Sequence, residues 1–389
     1  MKKFLSLLLS VVFALTGFAA AFALCNYALN YSQSKYEKEP PSELTDIGSP
    51  NKVYFNELSN IEKHVYNAIL SEIYDFPDSI TIPQVTEVQL RNVNSALLYD
   101  NPEIFFYGGE GHLISKLNRI SYFPEYIISK SEYAIQKKKL DKVCEKVLSS
   151  LTNPEDEWQT ELEIHDYIID NCRYELVEGN HVYSSVYGAL VNGKAACEGY
   201  SKAAKLLLNM AGIECSVVCG NAVDEDGESQ KHMWNAVKIN GDCYYLDCTW
   251  DDPVSADGSD TKLYDFFNIN EEMISLSHSD ISGGFECTAT AENYYIKTGK
   301  YFETYDRSDE KRLAKLLADE LNGGSDSVRV LFGSLDVYNQ AVDDLFSNKR
   351  IYNVLTMASK ETDKKFSLNS VYRSEDCGRP MLSLVTEQK

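Results

Sequence analysis

Residues 232–253 read HMWNAVKINGDCYYLDCTWDDP, and this stretch decides the fold prediction. Asn240-Gly241 between two apolar runs is the strongest short-range signal of a β-hairpin with a two-residue turn. A turn of that length sets the register of the two strands, so that Val237 faces Tyr244. The stretch therefore predicts two strands of an antiparallel sheet.

Side-chain alternation along these strands separates two faces of the hairpin. One face is apolar and suits a core, with Met233, Val237, Ile239, Tyr244, Leu246 and Cys248. The other face holds His232, Trp234, Ala236, Tyr245 and Asp247. On it, His232 and Asp247 are diagonal neighbours about 7–8 Å apart in the backbone, within reach of a side-chain hydrogen bond. A carboxylate so placed orients an imidazole that acts as a general base.

A candidate nucleophile precedes the hairpin. Residues 192–212 read NGKAACEGYSKAAKLLLNMAG, and apolar residues follow Cys197 at helical spacing: Tyr200, Ala203, Ala204, Leu207, Leu208 and Ala211. Cys197 is thus predicted in the first helical turn, where unpaired amides and the helix dipole favour a thiolate. A small buried cysteine without chemistry is the alternative interpretation of the same position.

Three motifs together resemble a known family: CEGY at 197–200, HMWN at 232–235 and YLDCTWDDP at 245–253. They are similar to the core of the transglutaminase-like superfamily, in its bacterial extracytoplasmic branch, over residues 164–253. The resemblance implies an α+β class and a papain-like transglutaminase core, in which the helix that carries the cysteine lies on an antiparallel sheet.

For the chemistry, the resemblance implies a catalytic triad of Cys197 as nucleophile, His232 as base and Asp247 as the residue that orients the base. These are the roles that the residues themselves indicate. The implied reaction is attack on an amide or peptide carbonyl to form a thioester. The acyl group is then transferred either to an amine or to water. The sequence leaves three reactions open: transfer to an amine, deamidation and proteolysis.

Some features of animal transglutaminases have no counterpart in this sequence. Their oxyanion-binding tryptophan is not matched by any of Trp158, Trp234 and Trp250, so the Cys197 amide is the predicted oxyanion donor. Calcium loops are not evident, and the acidic stretches at 224–228 and 251–260 are interpreted as solvated turns. The sequence therefore predicts no cofactor and no metal.

Two other functions compete with this enzyme. One is a catalytically inactive binding or assembly module at the cell surface that keeps the fold. The other is a zinc-stabilised domain built on Cys215, Cys219, Cys243 and Cys248. The zinc site is disfavoured because Cys215 and Cys219 lie in an apolar, strand-like run, whereas zinc knuckles need tight turns between ligands.

Charge limits the partners of the protein. Its 389 residues carry a formal net charge of −22 and a pI of about 4.7. The net charge therefore disfavours a nucleic-acid binder that relies on a basic face, and no nucleic-acid partner is expected. The expected partner is a protein or peptide substrate, with cell-wall peptides as candidates.

The N-terminus predicts export. Residues 1–24 hold two lysines followed by a long uncharged run, which is typical of a signal peptide or an N-terminal membrane anchor. A polar, proline-containing linker is predicted at 25–52. The body of the chain is then expected to be secreted or held at the cell surface by this tether. Ten cysteines are present, and any disulfide pairing is left open.

The sequence after the linker divides into four predicted regions. A helical or mixed N-terminal region is predicted at 53–152, the catalytic core at 153–300, a small α/β region at 301–360 and a polar tail at 361–389. The α/β region is expected to contain a buried strand at 328–332 and a second strand near Ile351. The other five histidines are predicted to be structural or solvent-facing. His64 and His165 lie in predicted helices, and the other three lie in polar surroundings: His112, His181 and His278.

Overall fold

The computed structural model describes residues 2–39, 41, 51–116, 119–223, 227–253, 262–373 and 379–388. The chain divides into two units, Met1–Val218 and Cys219–Lys389. Both combine helices with sheets whose strands are mainly antiparallel, so the predicted α+β class is confirmed. Cys377, residues 40 and 42–50 of the predicted linker, and parts of both acidic turns lie outside the described residues.

The first unit is mainly helical. Its helices are α1 (Lys2–Tyr36), α2 (Val53–Glu57), α3 (Asn60–Ile73), α4 (Glu87–Asp100), α5 (Lys130–Ser150), α6 (Glu157–Asn171) and α7 (Cys197–Met210). Its strands are β1 (Ile80–Ile82), β2 (Tyr107–Lys116), β3 (Arg119–Tyr126), β4 (Arg173–Tyr174), β5 (Lys194–Ala195) and the first part of β6 (Cys215–Val223). Strands β1, β3 and β2 form an antiparallel sheet in that order, while β4 and β5 pair in parallel.

Helix α1 covers residues predicted as signal or anchor and continues to Tyr36, inside the predicted linker. In the part of the chain that the structure describes, no helix has both the length and the apolar character that a membrane crossing requires. The next long helix, α3, begins with a capping box. The Ser59 side chain and the Glu62 side chain cap each other's backbone amides there.

The second unit contains the hairpin. Its strands are the second part of β6, then β7 (Ser229–Ile239), β8 (Asp242–Leu246), β9 (Phe267–Ile269), β10 (His278–Ser282), β11 (Tyr301–Phe302), β12 (Ser327–Phe332), β13 (Phe366–Arg373) and β14 (Met381–Gln388). Its helices are α8 (Glu271–Ile274), α9 (Tyr294–Lys297), α10 (Asp309–Gly323), α11 (Leu335–Val342) and α12 (Ile351–Ala358). One sheet has the order β10-β6-β7-β8-β9, and the other has the order β11-β12-β14-β13.

The predicted hairpin register is confirmed, because Val237 pairs with Tyr244 across β7 and β8. The turn residues Asn240 and Gly241 both have positive φ angles, of 54° and 89°. Those angles are the conformation of the tight turn that matches the twist of antiparallel strands. Both faces of the hairpin are buried, since Val237 and Trp234, which lie on opposite faces, have no exposed surface.

Two expectations for the C-terminal part were wrong. The segment at Ile351 is helix α12 rather than a strand, because Ile351, Val354 and Ala358 recur at helical spacing and are buried together. The stretch predicted as a polar tail contains strands β13 and β14, and β14 lies between β12 and β13. The buried strand predicted at 328–332 is present as β12.

Candidate active site

Cys197 is the first residue of α7, as its sequence context predicts. Ala196 precedes the helix with an extended backbone and no side-chain cap, and its carbonyl accepts hydrogen bonds from the Gly199 and Tyr200 amides at 2.9 and 3.2 Å. The cysteine is partly exposed. A partly exposed thiol at the positive end of a 14-residue helix is a suitable position for a nucleophile.

The glycine of the CEGY motif allows the start of α7 to approach the preceding chain. A Cβ atom on Gly199 would lie 2.6 Å from the Ala195 Cβ and 2.8 Å from the Tyr183 carbonyl oxygen, closer than real Cβ atoms come. Tyr200, which follows, is fully buried. The motif therefore has a packing reason as well as a chemical one.

Tyr174 is a neighbour of Cys197 that the sequence did not indicate. It pairs with Ala195 across β4 and β5, and 38% of its surface is exposed. Burial, and then the nearby Cys197, raise the pKa of Tyr174 above its ordinary value. Its phenol therefore remains protonated at neutral pH.

His232 and Asp247 lie together in the second unit, as the hairpin register predicts. The distance from His232 Nε2 to Asp247 Oδ2 is 2.6 Å, and both side chains are buried. Asp247 comes directly after β8, and its Oδ1 accepts the backbone amides of Thr249 and Trp250 at 2.9 and 3.2 Å. The carboxylate is thereby held at both oxygens.

The charge state of Asp247 follows from its partners. Burial by itself raises the pKa of a carboxyl group, but the attraction and hydrogen bonds of His232 and His278 outweigh it and hold the pKa of Asp247 well below its usual range. Asp247 is therefore an ionised, acceptor-only group at neutral pH. Such a group can orient an imidazole and stabilise the imidazolium that proton transfer forms.

His278 is the residue of this site that sequence analysis missed. The polar run around it predicted polar surroundings, yet its side chain has no exposed surface and its Nε2 lies 3.3 Å from Asp247 Oδ2. The reason is tertiary, because β10 pairs with β6 and places His278 opposite Ala222. No local periodicity around His278 reports that pairing.

Aromatic rings surround the two histidines. The His278 ring lies 4.6 Å from the rings of both Trp234 and Trp250, and 5.6 Å from that of Phe266. Trp234 also stacks beside His232 at 5.9 Å. Gly220 makes room for this arrangement, since a Cβ on it would lie 2.6 Å from the Trp234 ring. These rings lower the local dielectric, which strengthens hydrogen bonds to Asp247.

The same three side chains are the candidate metal ligands. The ligand atoms of His232, Asp247 and His278 all lie within 4.8 Å of one another. Two ligand atoms on one tetrahedral zinc ion, each about 2.0–2.2 Å from it, are roughly 3.3–3.6 Å apart. The 2.6 Å between His232 and Asp247 is shorter and fits a direct hydrogen bond. The donor geometry therefore fits a hydrogen-bonded group better than a metal centre.

Nor do the cysteines proposed as zinc ligands form such a group among the described residues. Of the eight cysteines whose side chains the structure describes, Cys197, Cys219 and Cys243 are partly exposed, and the other five are buried: Cys144, Cys172, Cys215, Cys248 and Cys287. Cys197 belongs to the first unit, whereas His232 and Asp247 belong to the second. The joint action of the three as a catalytic triad therefore stays a prediction.

Comparison with known proteins agrees with the motifs. Residues 141–249 match the family model of the Transglutaminase-like superfamily. No curated protein matches the chain. Among solved structures, a TGase is similar at 15% identity over 42% of this chain and 48% of its own, with a TM-score of 0.27.

Two further solved structures are also distant. A proposed protease from Parabacteroides distasonis is 15% identical over 35% of this chain and 30% of its own, with a TM-score of 0.23. A proposed cysteine protease from Cytophaga hutchinsonii is 13% identical over 40% of this chain and 65% of its own, with a TM-score of 0.25. The chain spans less than two thirds of the length of each of these structures.

The family match includes Cys197, His232 and Asp247, the residues that the motifs indicated. The match assigns this segment to the Transglutaminase-like superfamily. Residues 141–249 thus carry a transglutaminase-like core, and the resemblance that the motifs predicted is confirmed over this segment.

Proposed function

We propose that the protein is an extracytoplasmic, transglutaminase-like cysteine enzyme that acts on amide or peptide bonds of proteins or wall peptides. The observation that carries the proposal is the family match over residues 141–249, which includes a cysteine at a helix start and a hydrogen-bonded histidine–aspartate pair. The export prediction for residues 1–24 supports action outside the membrane.

In the proposed reaction, His232 first takes the proton of the Cys197 thiol, and the resulting thiolate attacks the substrate carbonyl carbon to form a carbon–sulfur bond. The carbon–nitrogen bond then breaks, and the His232 imidazolium gives its proton to the departing amine or ammonia. Asp247 holds His232 in place and stabilises its charged form. The product of this half-reaction is a thioester on Cys197.

The acceptor decides the overall reaction. An amine that attacks the thioester gives a new amide, which is a cross-link when the amine is a lysine side chain. Water gives deamidation when the substrate is a glutamine side chain, and cleavage when it is a peptide bond. In each case His232 removes a proton from the acceptor, and the Cys197 thiolate leaves.

Cysteine reactivity tests the proposal. We expect iodoacetamide to label Cys197 at a lower pH than it labels Cys219 and Cys243, which are also partly exposed. His232→Ala should remove this difference, while His112→Ala, a change in the first unit outside the site, should preserve it. Labelling at each cysteine is read by mass spectrometry across pH, and then Gln-containing peptides are offered with and without an amine.

The alternative function is a catalytically inactive module that binds or assembles at the cell surface. If Cys197 reacts like Cys219 and Cys243 in the parent protein, and His232→Ala changes nothing, the enzyme proposal fails and this module is the better assignment. Turnover of a peptide with release of ammonia or an amine would exclude the module.

A further inference from the structure

His278 is held by hydrogen bonds at both of its ring nitrogens. Its Nε2 lies 3.3 Å from Asp247 Oδ2, and its Nδ1 lies 2.9 Å from Ser277 Oγ. Ser277 Oγ in turn accepts a hydrogen bond from Arg379 Nη2 at 3.1 Å. Ser277, His278 and Arg379 are all buried. A continuous chain of hydrogen bonds therefore runs from Arg379 to the Asp247 carboxylate.

The chemistry of the two end groups determines which partner donates in each of these hydrogen bonds. Arg379 can only donate, and an ionised Asp247 can only accept. His278 Nε2 must therefore carry a proton and donate a hydrogen bond to Asp247. A neutral imidazole then has an acceptor at Nδ1, so Ser277 donates its hydroxyl proton there.

His278 is suited to the neutral form. Burial is the main effect that lowers the pKa of His278, and the neighbouring charges of His232 and Arg379 add to it. Together they outweigh Asp247, which raises this pKa. The Arg379 guanidinium also lies 3.5 Å from the centre of the Phe266 ring, which holds it beside Ser277. The donor end of the chain is therefore anchored independently of His278.

The same rule determines the tautomer of His232. Because Asp247 Oδ2 only accepts, His232 Nε2 must donate to it, and the lone pair of the neutral ring then lies on Nδ1. Asp247 Oδ2 thus accepts from two imidazoles, while its Oδ1 accepts from the amides of Thr249 and Trp250.

We propose that His278, oriented by Ser277 and Arg379, is a positioning residue that fixes Asp247 and, through it, the Nε2-protonated tautomer of His232. The proposal deepens the proposed function and rests on it for its catalytic consequence. His278 touches no substrate in this scheme and acts only through Asp247. Its donated bond keeps Oδ2 turned toward the second imidazole.

The direct test is nitrogen-15 NMR of the histidine rings near neutral pH, which distinguishes protonated from unprotonated ring nitrogens. We expect both His232 and His278 to be protonated at Nε2, and His278 to be unprotonated at Nδ1. A His278 that carries its proton at Nδ1, or at both nitrogens, would overturn the proposal. The parent spectrum decides this point whether or not any variant folds.

Two variants test the effect on His232. His278→Phe fits the aromatic surroundings but donates nothing, whereas His278→Gln places an amide donor near the position of Nε2. We expect the Phe variant to lose the fixed Nε2 protonation of His232 and to slow Cys197 alkylation roughly 10- to 100-fold, because a hydrogen bond to a charged group is removed. The Gln variant should restore both, and Ser279→Ala, an exposed change on the same strand, should alter neither.

The two readouts separate this proposal from the enzyme proposal. If Cys197 of the parent is no more reactive than Cys219 and Cys243, the proposed function fails, while the ring spectra still report whether His278 fixes the tautomer. If Cys197 is reactive but a folded His278→Phe variant keeps the parent His232 spectrum and rate, the positioning role is refuted and the enzyme proposal stands.

Discussion

Two buried aspartates of this protein have pKa values displaced in opposite directions by their surroundings. Asp247 accepts from two imidazoles, whose attraction and hydrogen bonds hold its pKa below the usual range despite burial. Asp100 is equally buried and accepts the Tyr54 and Phe55 amides, yet burial dominates and raises its pKa to about 6. Burial alone therefore does not determine the charge of a carboxylate.

Asp100 gives a pH-dependent stability prediction. Its folded pKa of about 6 exceeds the unfolded value of about 3.9, so the folded chain binds more protons between these values and loses stability as pH rises through them. Raising the pH from about 5 to about 8 should cost about 1.4 kcal/mol from this group. Urea unfolding at both pH values should show that Asp100→Asn removes this loss.

The control for that measurement is Asp75→Asn, which removes an aspartate whose side chain is 89% exposed. It should leave the difference in unfolding free energy between the two pH values as it is in the parent. A loss that Asp100→Asn fails to reduce, or that Asp75→Asn reduces equally, would contradict the assignment to Asp100.

At the scale of elements, the β7–β8 hairpin sets the position of the orienting acid. The turn at Asn240 and Gly241 fixes the register, and β8 ends one residue before Asp247. A slip of one residue would turn every side chain of the strand to the other face, and His232 would lose its partner. The conformation of two turn residues thus determines a contact well outside the turn.

The turn can be tested with a matched pair of substitutions. A Cβ added at Gly241 or at Gly323 would meet nothing within 4 Å, but only Gly241 has a positive φ, of 89°. Gly241→Ala should lower the free energy of unfolding by about 1–2 kcal/mol, because an L-residue is strained there. Gly323→Ala, at the end of α10, should raise it by up to about 1 kcal/mol.

Urea unfolding of the two glycine variants against the parent measures both effects within the second unit. Opposite signs are the expected result, since neither substitution adds a contact. If both variants shift stability in the same direction, backbone conformation at Gly241 does not limit the hairpin.

At the scale of the whole molecule, the last strand completes the second unit. β14 pairs with β12 on one side and with β13 on the other, and its Leu382 and Leu384 have no exposed surface. Arg379, just before β14, reaches Ser277 beside the site. The C-terminal residues are therefore part of the core of this unit and of the hydrogen-bond chain to Asp247.

Truncation of a buried side chain in β14 should destabilise the second unit. We expect Leu384→Ala to lower the free energy of unfolding by about 2–5 kcal/mol, the cost of removing a buried leucine and leaving a cavity. Glu387→Ala, an exposed change on the same strand, should stay within about 0.5 kcal/mol of the parent. Equal, small effects in thermal or urea unfolding would mean that β14 is not part of the core.

Local signals were sufficient for the parts of the site that depend on neighbours in sequence. Helical spacing places Cys197 at the start of α7, and the Asn240-Gly241 turn gives the register that brings His232 to Asp247. Helical periodicity and turn conformation are properties of short segments, so the sequence by itself determined these features. The α+β class followed from the resemblance of its motifs to a known family.

Only the tertiary structure decided what surrounds Asp247. His278 is 31 residues away from Asp247 in sequence and reaches it because β10 pairs with β6. Arg379 is 102 residues away from Ser277 and lies just before β14, which is an interior strand of the other sheet. Strand order depends on the packing of distant segments and leaves no mark on local periodicity. For that reason the polar run around His278 predicted polar surroundings, whereas the folded chain buries this histidine against the carboxylate.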